Sequence, residues 1–184
     1  MGHSYPETLP ISHYFRWNYP NRWFRIHSLP ESKRYPDTAE EWAILLNRQN
    51  TIINDLLGSN SDVLLVTGDY LIELKTLHQI DSISTISFTT LETINLHETN
   101  PDEYNAGRTF TPMFSKQIWQ PNKFDKLLAD IANDCLRVLF ISIENNCLIA
   151  PYDGGMDIVL KDEKTRNSCQ EKYGAWLSAR EDGL

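Results

Sequence analysis

The chain has 184 residues, a net charge of -8 and a pI near 5.1, with 41% hydrophobic and 23% charged residues. Residues 1–184 are therefore expected to form one domain around one core, and collagenous, disordered and disulfide-rich classes are excluded. The acidic balance opposes binding to nucleic acid or anionic lipid.

No stretch approaches the roughly 20 apolar residues that cross a bilayer, and the opening MGHSYP has neither the basic nor the apolar region of a signal peptide. The expected location is the cytoplasm, with no membrane partner. Cys135, Cys147 and Cys169 cannot all pair within one chain, and their apolar or helical surroundings predict reduced core thiols.

His13 to Tyr19 predicts a short aromatic helix ended by Pro20. Arg22 to Ser28 alternates as a strand, with Phe24 and Ile26 on one face and Trp23, Arg25 and His27 on the other. Pro30 and Pro36 bracket a loop. Asp37 or Thr38 then caps a helix running to Leu57, with Glu40 and Glu41 in its first turn and Gly58 at its end. Its apolar stripe is Trp42, Leu45, Leu46, Ile53, Leu56 and Leu57.

Val63 to Val66 reads as a covered strand, and the alternation from Ile83 to Ile94 predicts strands with one wet face. His97 to Gly107 is rich in acids and turn formers and is expected to be an exposed loop. Thr109 to Trp119 resumes strand character, with Pro112 arguing for an edge or a bulge. Pro121 opens a second helix, whose stripe is Phe124, Leu127, Leu128, Ile131, Cys135 and Leu136.

Val138 to Ile143 is apolar on both faces and predicts a central strand. Another strand follows from Cys147, and Asp153-Gly154 signals a hairpin whose central residues take positive φ. A last strand covers Met156 to Leu160, and Asp162 caps a C-terminal helix that buries Cys169, Tyr173 and Trp176. The fold class expected is α+β, a single domain with an antiparallel or mixed sheet of about five to seven strands packed by two or three helices.

Candidate chemistry concentrates in two segments. From Arg22 to Tyr35 (RWFRIHSLPESKRY), arginines and Lys33 stand among aromatics with one acid, Glu31. From Tyr152 to Asp157 (YDGGMD), a turn is flanked by carboxylates. The ligand-binding candidates are Trp23, Arg25, Lys33, Arg34 and Tyr152, since an Arg fork and a Lys charge suit phosphate or carboxylate. The catalytic candidates are His27, as a base, and Asp157.

Against this stands a structural reading in which Arg25 and Arg34 pair with Asp153 or Asp157 and anchor the loop. The hairpin accounts for Asp153, whereas Asp157 opposes Ala150 on an apolar face and needs a partner there, for which an Arg of the first segment is the preferred choice. His97, Glu98, Asp102 and Glu103 lack metal-ligand spacing. No cofactor fingerprint is present and no metal site is expected.

The two segments, with Tyr173-Gly-Ala-Trp-Leu-Ser178 near the end, resemble bacterial hypothetical proteins grouped as a domain of unknown function. The resemblance implies a bacterial origin and a shared fold and assigns no catalytic residue. The function expected is a non-catalytic cytosolic binding or interaction module, regulatory or toxin-neutralising, taking a protein partner or a small anionic ligand. The alternative is a small enzyme acting on a phosphorylated or carboxylated substrate through an Arg/His/Asp cleft.

Overall fold

The computed structural model describes residues 9–11, 14–70 and 80–178. The opening MGHSYP and the helix start expected at His13 lie outside the described residues. In chain order come α1 (Phe15–Asn18), β1 (Trp23–His27), α2 (Ala39–Leu57), β2 (Asp62–Tyr70), α3 (Asp81–Ser84), β3 (Thr89–Thr90), β4 (Ile94–Asn95), α4 (Leu96–Thr99), β5 (Thr109–Ile118), α5 (Asp125–Ala132), β6 (Leu139–Ser142), β7 (Cys147–Tyr152), β8 (Gly155–Val159) and α6 (Glu163–Lys172). Among the described residues these make a single α+β domain, an eight-stranded antiparallel sheet with three substantial helices, α2, α5 and α6.

The sheet order is β1-β8-β7-β6-β2-β5-β3, with β4 also on β5. Alternation along each strand divides the side chains between two faces. One face carries Phe24, Ile26, Leu65, Phe140, Ile149, Met156 and Ile158 and packs with Ile53 of α2 and Leu128 of α5. Trp119, stacked on Phe124 at 5.8 Å and edge-on to Phe140 at 6.1 Å, fills its centre. The other face carries Val66, Leu139, Ile141, Leu148, Ala150 and Val159, with Phe15 of α1 seated against them. Covered on both sides, β6 is buried along its whole length, as a central strand is.

α2 starts and stops where its side chains dictate. Thr38 and Glu41 form a reciprocal capping box, and Gly58 takes φ 82° at the end. Its buried face also holds Gln49 and Asn50, which the apolar stripe does not reveal. Asn50 donates to Asp125 at 2.7 Å and accepts from the Asn122 backbone N–H at 2.8 Å, tying α2 to the start of α5.

Three expectations are corrected here. Ile83 lies in the helical turn α3, because Ile80, Ile83 and Ile86 recur every third residue and all reach the same core; the strands of this region shrink to β3 and β4. Pro112 lies in a strand paired on both sides. Its carbonyl accepts from Leu91 N–H at 2.8 Å between β3 and β4, and a strand residue's N and O face the same neighbour, so the missing donor falls at the break between those two short strands. Cys135 is exposed beyond the end of α5, while Cys147 is buried and Cys169 packs against the core. His97 to Thr99 complete the helical turn α4, and the stretch from Asn100 to Gly107 beyond it is mostly exposed.

Candidate functional site

Register brings the two sequence segments together. β1 pairs with β8 so that Arg25 lies opposite Asp157 and His27 opposite Gly155, while Tyr152 on β7 opposes Gly155 from the other side. Arg25 grips Asp157 with a two-pronged contact, Nε to Oδ1 at 2.8 Å and an Nη2 bond to Oδ2 at 2.9 Å. Trp23 Nε1 donates to the same Oδ1 at 3.0 Å. The guanidinium lies 4.7 Å from the Tyr152 ring centroid and 5.7 Å from that of Trp23, so two aromatic walls hold its plane. The Asp157 side chain is 6% exposed and that of Arg25 is 21%. Burial pushes the Tyr152 phenol up, so it stays neutral.

A second clamp sits at the hairpin tip. Arg34 bonds Asp153 at 2.6 Å and Tyr35 donates its hydroxyl to the same oxygen at 2.8 Å. The tight turn exists, with Tyr152 opposite Gly155, but neither Asp153 nor Gly154 takes positive φ. The expectation that turn chemistry accounts for Asp153 is therefore corrected: its buried carboxylate is fixed by Arg34 and Tyr35. The loop leading to this contact carries two consecutive left-handed residues, Glu31 (φ 55°) and Ser32 (φ 56°). Non-glycine residues hold such a conformation only where surrounding contacts impose it.

Burial alone raises the Asp153 pKa, and the Arg34 and Tyr35 bonds outweigh it, so the net direction is down. A depressed native pKa contributes stability that is complete above the ordinary aspartate value of about 3.9 and drains as pH falls through the depressed one. Asp153→Asn is expected to lower Tm at neutral pH and flatten the acid limb of Tm against pH. An unchanged acid limb contradicts this role.

The remaining candidates are placed as follows. Lys33 meets Glu41 at 2.6 Å and Asp37 at 2.8 Å, which anchors the loop to the start of α2. Both oxygens of Asp157 are engaged by Arg25 and Trp23, and no hydrogen bond joins Asp157 to His27. The orienting contact that a His27 base requires is not formed. Ser28 is fully buried and accepts from Gln49 Nε2 at 2.9 Å.

Burial pushes the Cys147 thiol up, away from the reactive thiolate. His97 Nδ1 lies 2.6 Å from the Tyr104 carbonyl, and Glu103 accepts from Tyr14 and Asn100, so this acidic stretch binds its own loop. Among the described residues, no group of three His, Cys, Asp or Glu side chains is arranged to hold a metal.

The pattern misses Arg48 of α2. Its Nη1 donates to the His27 carbonyl at 3.1 Å, and its guanidinium lies 5.3 Å from the Trp176 ring centroid. Arg48 sits 21 residues beyond His27 inside a helical pattern, and no local signal links the two. Away from both clamps, a groove of about 400 Å³ opens over β6, β2 and β5, lined by Leu64, Lys116, Ile141, Ile143 and Glu144 among others.

The family described as a domain of unknown function, DUF3885, matches residues 11–181, and the chain belongs to it. No curated protein and no solved structure matches the chain.

Proposed function

We propose that this DUF3885 member is a non-catalytic cytoplasmic interaction module, of a regulatory or toxin-neutralising type, that engages a protein partner through the surface of α1 and the adjoining edge of β1. The observation that supports this reading is Trp17. Its side chain is 68% exposed, and the Arg16 guanidinium lies 4.2 Å from its ring centroid. Beside it, Arg22 lies 5.2 Å from the Tyr19 ring.

An exposed Trp leaves a large apolar area in water, and a partner surface recovers that energy; Trp, Tyr and Arg are the residues that most often anchor interfaces. Of the groups from which an Arg/His/Asp cleft would be assembled, Arg25 and Asp157 are joined to each other as a fold clamp and His27 is bonded to neither, which weighs against the enzyme alternative.

The test uses α1 because exposed Trp17 and half-buried Arg16 are separable from the clamps. Trp17→Ala and Arg16→Ala are expected to change folding stability by less than about 0.5 kcal/mol. Both are expected to weaken binding of the partner recovered with wild-type bait from the native cells, by tenfold or more for Trp17→Ala, measured with purified components. Wild-type affinity in both variants contradicts the assigned surface.

A further inference from the structure

Two features of one sheet face have no role in holding the fold. Phe15 seats α1 on the cluster that contains Ile141, Leu148 and Val159, where the helix also meets β1 and β8. From this single turn Trp17 projects 68% exposed, with the guanidinium of half-buried Arg16 lying 4.2 Å from its ring centroid. The same face continues past Ile141 onto β2 and β5, since Leu64 lies opposite Ile141 and Lys116 opposite Leu64. There the groove of about 400 Å³ opens, lined by Leu64, Ile141 and Ile143 together with Asp62, Glu144 and Lys116. Ile143 is 71% exposed, the most exposed of the large apolar side chains among the described residues.

The projection and the groove have complementary chemistry. Among the described residues no carboxylate pairs with Arg16, and no cation pairs with Asp62 or Glu144. The groove therefore holds two acids against one base, Lys116. An indole placed in it takes apolar surface of both Trp17 and Ile143 out of water. Arg16 arrives beside that indole, next to charge of the opposite sign.

We propose that the groove over β6, β2 and β5 receives Trp17 of a second copy of this chain, reciprocally, so that two copies form a two-fold dimer. Because projection and groove lie on one face, a two-fold axis between them brings each Trp17 to the other copy's groove, and the contact closes on itself. Each copy carries a net charge of -8, which opposes association at long range. The match of Arg16 to Asp62 and Glu144 offsets this where the surfaces meet. The inference rests on the reading of α1 as an interaction surface and names a second copy as a protein that this surface takes.

Analytical ultracentrifugation of the purified full chain, from micromolar to submillimolar concentration at physiological ionic strength, provides the test. The expected mass rises with concentration from the 21.3 kDa of one chain toward twice that value, as a small, weak interface requires. Trp17→Ala and Ile143→Asp alter exposed side chains, so neither threatens the fold. Each is expected to weaken self-association tenfold or more.

An equimolar mixture of the two variants separates reciprocal insertion from a general loss of stickiness. Either variant alone damages both contacts of its dimer, whereas a mixed dimer keeps one intact, the Trp17 of one chain in the unaltered groove of the other. The mixture is therefore expected to associate more tightly than either variant by itself. A wild-type chain that stays monomeric throughout, an Ile143→Asp chain that dimerises like the wild type, or a mixture no tighter than its components overturns the proposal. If the wild type is monomeric while Trp17→Ala still loses the partner recovered from native cells, the dimer is overturned and the α1 surface stands.

Discussion

Gly155→Ala is expected to destabilise the protein by about 3 kcal/mol or more. A Cβ at this position falls 2.0 Å from the Ile26 carbonyl oxygen and 3.0 Å from the Tyr152 hydroxyl. The first of these atoms is backbone of the paired strand and cannot rotate away, so the clash is relieved only by prising β1 from β8. That movement separates Arg25 from Asp157, since both depend on the same register. Gly154→Ala is the control. There the added Cβ meets the edge of the Tyr152 ring at 3.1 Å and Arg34 Cγ at 3.6 Å, both parts of side chains able to shift, and the expected change is under about 1 kcal/mol. Urea unfolding of the two variants checks the difference; equal stabilities contradict the close approach of β1 to β8.

Asp157→Ala is expected to cost about 3 kcal/mol. The loss is more than one ion pair, because the Arg25 guanidinium and the Trp23 indole N–H both lose their acceptor between aromatic walls. The lower end of the range for a broken buried pair applies, since Arg25 keeps a fifth of its side chain in water. Asp157→Asn retains an oxygen for Trp23 and is expected to fall between the wild type and Asp157→Ala. Thermal unfolding at neutral pH orders the three proteins; Asp157→Asn as damaging as Asp157→Ala contradicts the Trp23 contact.

The parts of the fold that local chemistry governs are readable from sequence. Thr38, Glu41 and Gly58 set the ends of α2 without reference to the rest of the chain. The alternation of Trp23, Arg25 and His27 against Phe24 and Ile26 likewise follows from the strand period alone. Asp157 was marked by a simple conflict, a carboxylate on an apolar face, and the conflict resolves with Arg25 opposite it.

Reading failed where two local signals agreed equally well with the residues. Ile86 and Phe88 fit an alternating strand while Ile80, Ile83 and Ile86 fit a three-residue helical step, and only the core beneath them decides. Asp153-Gly154 fits a positive-φ turn, yet the deciding contacts come from Arg34 and Tyr35, more than a hundred residues away. Pro112 tolerates an interior strand because β3 and β4 leave a break at its position, which no pattern within β5 announces. Arg48 was invisible for the same reason: its contacts, His27 and Trp176, belong to other elements.

The central claim is that the two conspicuous segments meet as a fold clamp, leaving recognition to the surfaces around it. A double-mutant cycle on folding stability tests it most directly, using Arg25→Ala, Asp157→Ala and the double variant. If the residues act as one buried, two-pronged pair, the single losses are not additive and the coupling energy exceeds about 1 kcal/mol. Additivity to within about 0.5 kcal/mol, with stable single variants, would mean that Arg25 and Asp157 are free for other partners, and it would contradict the clamp.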